Sequence, residues 1–450
     1  MFRTLKRAPF PLILLIGSFL CPTELSLEVS ELRLPPHRFA ILALAPFAFL
    51  RVISQPDTRL RLFDILLLLY GCWSMYVYDL HSEDMRGLVY GGSIALESFG
   101  AYIIARAYIR DFESFRATLD LLVLAAMAAL CFALPETIFG AHFTHDYLQQ
   151  VTGYEHERRL ETRLGLTRAY GTFDHPIHLG TFAAATIGLV WFSGHRLTKR
   201  IRQCGLIALT TFSALSSAPI LCVMIQGAFV VWDKVTRGLK ARIILTLCAI
   251  VLGYILISIV ANRTPIMIIA TSLTLDNWTG YYRTVIWEHG LKNVWENPWL
   301  GLGLADWKRP WWMISDSVDA YWLVVAMRTG IPAFLLLVIG LALHVGSMAL
   351  RVPRMNDPRA LRAMKAWLFS FIALCLIACT VHFWNAMHAY FFFFIGLAGW
   401  LSDPMRAPYL ARRLAKRKGR RRRRQSRPNP AIVPTPTGAL PLAPGAMLAR

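Results

Sequence analysis

The sequence predicts an all-α protein threaded many times through a membrane, and three observations predict it. Hydrophobic residues make up 56% of the 450-residue chain, charged residues only 17%, and mean hydropathy is +0.45. Apolar runs of roughly 17–25 residues recur, the length that crosses a hydrocarbon core as helix. Most of the 48 Lys and Arg residues gather in alternate connections between those runs, as the positive-inside rule requires for a single orientation.

In chain order the predicted helices are 9–22, 36–50, 62–79, 88–108, 117–139, 169–192, 203–216, 219–232, 243–261, 319–349, 366–383 and 386–402. The first run, Phe10–Cys21, has the length of a secretory signal, but "CPTEL" is a poor cleavage site and many spans follow. It is therefore read as a retained first helix. Basic residues then fall on one side: Arg3, Lys6 and Arg7; Arg51, Arg59 and Arg61; Arg106, Arg110 and Arg116; Arg196 to Arg202; Lys234 to Arg242; Arg351 to Lys365; and the C-terminal tail. That side is predicted cytoplasmic, giving about twelve spans with both termini inside. The net charge of +21 thus reflects topology, and nucleic-acid binding is not needed to explain it. All eight cysteines lie in or beside apolar runs, which indicates small core residues and neither a disulfide framework nor a zinc site.

Residues 1–402 form the predicted membrane domain, with two long outer connections, 140–168 and 262–318. The first holds His142, His145, Asp146, His156, Arg158, Arg159 and Arg163; the second, with its exit, holds eight of the fourteen tryptophans, Trp278 to Trp322. Elaborate outer loops beside short inner ones point to work at the outer face. Residues 403–450 are a basic block followed by a Pro-rich end, predicted disordered, with the basic block on anionic inner-leaflet lipid.

Ionisable groups at membrane depth are functional candidates because they are costly there. The stretch "RAYGTFDHPIHLG" places Arg168, Asp174, His175 and His178 at the outer end of the sixth helix. Pro176 suits a first helical turn, and Asp174 is read as the N-cap; the two histidines are either interfacial or part of a site. In "GYYRTVIWEHGLKNVWENPWLGLG", Arg283, Trp287, Leu291 and Trp295 recur at helical spacing on one face. Arg283 either snorkels to head groups or faces a buried anion, for which its guanidinium offers bidentate hydrogen bonds. The tryptophans are an interfacial belt or a sugar-stacking surface. In "SDSVDAYWLVVAMRTG", Asp319 is a cap or a proton acceptor, and Arg328, nearly three turns inside the tenth helix, should find a carboxylate or a ligand anion. Asp316 and Asp319 at i, i+3 leave a metal site open, although no Asp-x-Asp pair occurs.

These stretches, in this order, resemble the O-antigen ligase and polymerase superfamily of bacterial inner-membrane glycan transferases. "RAYGTFDHPIHLG" resembles its Arg-x-x-Gly-Thr-Phe…Pro motif; "RTVIW" followed by "NPWLGLG" resembles its Arg-x-x-x-Trp…Pro-x-x-Gly-x-Gly motif; and "DAYWLVVAMRTGIPAF" resembles the aromatic-Leu…Gly-Ile stretch leaving its large outer loop. The likeness runs from about Glu24 to Trp400. It implies a glycosyltransferase C-like membrane core with a large periplasmic loop, located in the inner membrane. It also implies transfer or polymerisation of a polyprenyl-diphosphate-linked glycan onto a glycan or lipid-glycan acceptor, without cofactor or metal, with polysaccharide assembly proteins as candidate partners. Arg168, Arg283 and Arg328 would then hold the diphosphate, and Trp287, Trp295, Trp307 and Trp311 the glycan. Asp319 or His175 would take the acceptor's proton. The family's last motif usually begins with a histidine where this chain has Asp319, which favours a polymerase for capsular or exopolysaccharide units over a lipopolysaccharide ligase. A lipid-glycan flippase and a non-catalytic subunit of an export machine are the competing readings.

Overall fold

The computed structural model describes residues 8–29, 32–55, 58–154, 158–239, 252, 255, 277–313 and 315–403. His156, the predicted ninth span 243–261 apart from Leu252 and Ile255, the start of the second long connection and the tail beyond Asp403 lie outside them. The described helices are α1 (Phe10–Phe19), α2 (Pro36–Ser54), α3 (Leu62–Leu80), α4 (Met85–Tyr108), α5 (Phe112–Phe139), α6 (Phe143–Thr152), α7 (Pro176–Ala184), α8 (Ile187–Trp191), α9 (Leu197–Ser213), α10 (Ser217–Val235), α11 (Asn277–Glu296), α12 (Tyr321–Arg351), α13 (Pro358–Ile377) and α14 (Asn385–Gly396). Two small antiparallel ribbons interrupt them, β1 (Leu27–Val29) with β2 (Leu32–Leu34) and β3 (Thr162–Arg163) with β4 (Leu166–Thr167). Seven helices, α2 to α5, α10, α12 and α13, are long and apolar enough to cross a membrane, and Phe10–Phe19, Pro176–Trp191 and Asn385–Leu401 are shorter apolar helices. The chain is an all-α membrane protein.

Boundaries differ from the sequence reading where polar chemistry starts a helix early. Asp111 caps α5 by accepting from the Ser114 N–H at 2.8 Å, and Ser114 returns the bond to the Asp111 N–H. Asp357 caps α13 at the Arg359 N–H, with Pro358 in the first turn. Both first turns carry charges, so hydropathy alone reads them as loop.

α14 is the centre of the bundle: Tyr390 to Ile395 are completely buried. Gly396 lets it cross α4 closely, since a Cβ there would lie 2.6 Å from the Tyr102 carbonyl oxygen. Beyond α14, Asp403 accepts from Arg61 at 2.5 Å and from Arg110 at 3.0 Å, and it reaches Arg106 at 3.3 Å. Arg106 also pairs with Asp64, which takes the Tyr102 hydroxyl at 2.5 Å. This buried ion network fastens the ends of α3, α4 and α14, so that the opposite end of the bundle, where His175 lies, is held in register from below.

Candidate functional site

The site is built on a turn held from beneath. Glu136, fully buried near the end of α5, accepts the backbone N–H groups of Tyr170 at 2.8 Å and Gly171 at 3.0 Å. Gly171 has φ +63°, a left-handed conformation that favours glycine. Residues 169–175 therefore run as a fixed, non-helical segment, and the sixth predicted helix starts only at Pro176.

That start corrects one capping assignment. With proline in the first helical position the cap is the residue just before it, so His175 is the N-cap and its Nδ1 accepts from the Ile177 N–H at 3.1 Å. Asp174 is released to tie three segments together: it accepts from the Thr23 hydroxyl at 2.5 Å and the Asn385 amide at 2.8 Å. His178 is buried, with Nε2 at 3.1 Å from the His382 carbonyl and its ring 3.8 Å from that of Trp384. Thr23, Arg33, Tyr170, His175, Trp384 and Asn385 line a cavity of about 310 Å³ here.

Burial lowers the His175 pKa to about 3, and the neighbouring His178, Arg168 and Arg163 push the same way. His382, which sequence reasoning passed over, is likewise lowered to about 3 by burial, His178, His388 and Arg328. Both imidazoles are neutral in the folded protein near neutral pH. The unfolded chain takes up their protons near pH 6.5, so it binds more protons than the native state between about pH 6.5 and 3. Stability should therefore fall as pH drops below about 6.5, and the thermal midpoint in detergent should be lower at about pH 5 than at about pH 7.5. A flat profile would contradict the two buried neutral rings.

Two guanidinium groups, Arg168 and Arg163, act on His175, and a third, Arg283, lies near both of them. Arg168 is buried, pairs with Glu161, and points Nε toward the Ala214 carbonyl at 3.5 Å. Arg163 donates to the Leu215 carbonyl at 3.2 Å. Arg283 is 8% exposed, and its Nε has no hydrogen-bond partner among the described residues. Burial lowers its pKa; nearby Asp319 opposes that shift, and Arg163 and Arg168 add to it. Asp319 is half-buried, accepts from the Ser317 hydroxyl at 2.9 Å and does not cap α12, whose N-cap is Ala320.

Several expected contacts are redistributed. Among the described residues Arg328 hydrogen-bonds no carboxylate, although Asp306 feels its charge: it donates to the carbonyls of Gly303, at 3.2 Å, and Ala305. Its partners are the glycine-rich turn because α12 breaks at Gly330 (φ +80°) and the turn docks into the break. Leu302 and Gly303 donate to the Met327 and Arg328 carbonyls, both at 2.9 Å, and Ile331 donates to Pro298 at 2.8 Å. On α11 the buried stripe is Arg283, Ile286, Gly290 and Val294, with Leu291 and Trp295 exposed; the predicted face packs at Arg283 and partly at Trp287, and faces outward at Leu291 and Trp295. Gly290 sets this, since a Cβ there would meet Leu323 of α12 at 2.5 Å. Trp307 is buried with its indole N–H on the Asp316 carbonyl at 2.9 Å, a packing role that leaves no face for glycan. Trp287 is half-buried and donates to the Cys379 carbonyl at 2.8 Å. Trp295 and Trp311 are open, at 72% and 94% exposure. No cluster of metal-ligating side chains occurs among the described residues, at Asp316 and Asp319 or elsewhere.

The residues missed from sequence were legible in kind. "TVHFWNAMH", 380–388, sets two histidines and an asparagine at the junction of the last two apolar helices, and Glu136 is an acid inside an apolar run. No curated protein matches the chain. Residues 203–338 match the family model described as O-antigen ligase; Arg168 and His175 precede that stretch. The match spans α9 through the first half of α12, including Arg283, the "NPWLGLG" turn and Asp319, and over this region the chain is O-antigen ligase-like.

Proposed function

We propose that this membrane protein transfers or polymerises polyprenyl-diphosphate-linked glycan units at the outer face of the inner membrane. The observation that carries the reading is the gathering of Arg163 and Arg168 near the buried Arg283, with the Asp319 carboxylate also near Arg283. Glu161 engages Arg168, yet cations still crowd one another there, and a dianionic diphosphate relieves that crowding with charge-assisted, bidentate hydrogen bonds.

The chemistry needs little more. An acceptor hydroxyl oxygen attacks the anomeric carbon, the bond from that carbon to the diphosphate oxygen breaks, and the diphosphate leaves with the electron pair. The arginines stabilise charge as it grows on the leaving group. Asp319 takes the hydroxyl proton. His175 is the weaker base, since its Nδ1 is occupied by the Ile177 N–H and its surroundings oppose protonation. The exposure of Trp295 and Trp311, against the burial of Trp307, supports the first two as the glycan contacts. The basic residues near Arg61, Arg106 and Arg351 lie at the opposite end of the helices, which supports cytoplasmic termini and an outward-facing site.

The test is transfer by purified protein in lipid with host polyprenyl-diphosphate glycans. Longer or transferred glycan with released polyprenyl diphosphate is expected, reduced about 10²–10⁴-fold by Asp319→Asn and much less by His175→Ala. Binding of the lipid-linked glycan without any transfer would overturn the enzyme reading in favour of a flippase or an accessory subunit.

A further inference from the structure

A second cavity, of about 240 Å³, lies between α2, α3, α4, α12 and the start of α14. Tyr70, Tyr78, Tyr90, Tyr321, Glu97 and His388 line it, and it shares Trp384 and Asn385 with the His175 cavity. Its lining mixes these polar groups with Ile94, Val324 and Val325, where a membrane bundle ordinarily packs with apolar side chains alone. Glu97 is 1% exposed, and its Oε1 accepts from Arg38 at 2.6 Å and from His37 at 3.0 Å. Its Oε2 has no partner among the described residues, and neither has Nε2 of His388, which is 3% exposed. Buried acceptors and donors of this kind are ordinarily satisfied, so the cavity has vacant polar valences around it. Asn385, in its shared wall, has φ +48°, a conformation uncommon outside glycine.

The chemistry of the lining selects the occupant. The Arg38 cation is matched by Glu97, and Arg328, whose charge is felt by His382 in the wall, does not itself line the cavity. Four tyrosines line it, supplying aromatic surface and hydroxyls that donate and accept. The volume equals about eight water molecules at liquid density, enough for one six-membered ring and too little for a lipid chain. A ring with apolar faces and hydroxyl edges is complementary to all of this.

We propose that this cavity is a binding site for one neutral sugar ring of the glycan handled at the His175 side. A sugar hydroxyl donates to Glu97 Oε2, a second meets His388 Nε2, and a tyrosine face covers the ring. The sugar reaches the cavity past Trp384 and Asn385. This rests on the glycan reading of the neighbouring site.

The experiment uses the full chain in lipid nanodiscs and saturation-transfer NMR with methyl glycosides of glucose, galactose and N-acetylglucosamine, with methyl glucuronide as the charged comparison. At least one neutral glycoside should give a signal, and the glucuronide should give a weaker one or none, because its carboxylate would lose its hydration in the cavity while Arg38 is already paired with Glu97. Ile94→Trp, which fills the cavity, should abolish the signal while polyprenyl diphosphate binding is retained. Tyr90→Phe, which keeps the packing and removes one hydroxyl, should weaken binding about tenfold. A wild-type protein silent to every neutral glycoside overturns the proposal, and so does a signal unchanged in both variants, as water-filled or surface binding predicts. Failure of the glycan-transfer reading looks different: no polyprenyl diphosphate binding and no transfer, with a sugar signal that Ile94→Trp still removes.

Discussion

Arg283→Ala should reduce the rate of polyprenyl diphosphate release by about 10²–10³-fold, the usual cost of removing a preorganised group that faces charge developing in a transition state. Arg283 is singled out among the three arginines because it is the least committed. Arg168 is paired with Glu161 and Arg163 donates to Leu215, whereas Arg283 is buried with its Nε unpartnered among the described residues. A buried guanidinium crowded by two others is ready to meet an anion and pays little reorganisation when one arrives. The loss should fall mainly on kcat, since charge on the leaving oxygen grows toward the transition state. Arg283→Lys should recover only part of it, because an ammonium supplies the charge without the planar fork. Steady-state rates for the three proteins decide the matter. An Arg283→Ala protein with wild-type kcat and a raised KM would make this residue a binding group and leave leaving-group stabilisation to Arg168 and Arg163.

The parts of this arrangement that a sequence displays are those carried by a single side chain in an unexpected place. Arg283 and His175 announce themselves because an ion or imidazole interrupts apolar periodicity; His175 lines the cavity, and Arg283 is buried near Arg163 and Arg168. The parts that stayed hidden depend on partners distant in the chain. Asp174 reads as a helix cap from local pattern, yet its bonds run to Thr23 and Asn385, which no local rule connects. Trp307 and Trp311 look alike in sequence, four residues apart, and one is buried at 3% exposure while the other is fully open. Their difference comes from a separate small core that Trp307 shares with Val285, Ile286 and Leu323. Glu136 was visible as an acid in an apolar run, but its purpose, holding the Tyr170–Gly171 turn, exists only once α5 and that turn are side by side. Positions that break a pattern are readable; the bonds that justify breaking it belong to tertiary structure.

Gly330→Ala should be among the most damaging single-methyl changes in the chain, about 4 kcal/mol or more, in the exceptional class. The backbone there has φ +80° and ψ 169°, a combination essentially reserved for glycine. A Cβ would lie 2.1 Å from the Trp299 carbonyl oxygen and 2.6 Å from its carbon, both backbone atoms that cannot swing aside. Two escapes exist, and both dismantle the site. If α12 straightens, the Met327 and Arg328 carbonyls are withdrawn from Leu302 and Gly303. If the turn retreats instead, Arg328 loses the Gly303 and Ala305 carbonyls and is left as a cation without partners. Either way α11, which leads into that turn, loses its register against α12, and Arg283 moves off Asp319. Gly346, later in the same helix, supplies the control: a Cβ there meets nothing within 4 Å, and alanine is the better helix former, so Gly346→Ala should be neutral or slightly stabilising. Thermal unfolding of the two variants in the same detergent, with transfer measured on whatever remains folded, separates the cases. A Gly330→Ala protein as stable as Gly346→Ala would mean that the glycine-rich turn is not locked into the break in α12, and that Arg283 is positioned by some other contact.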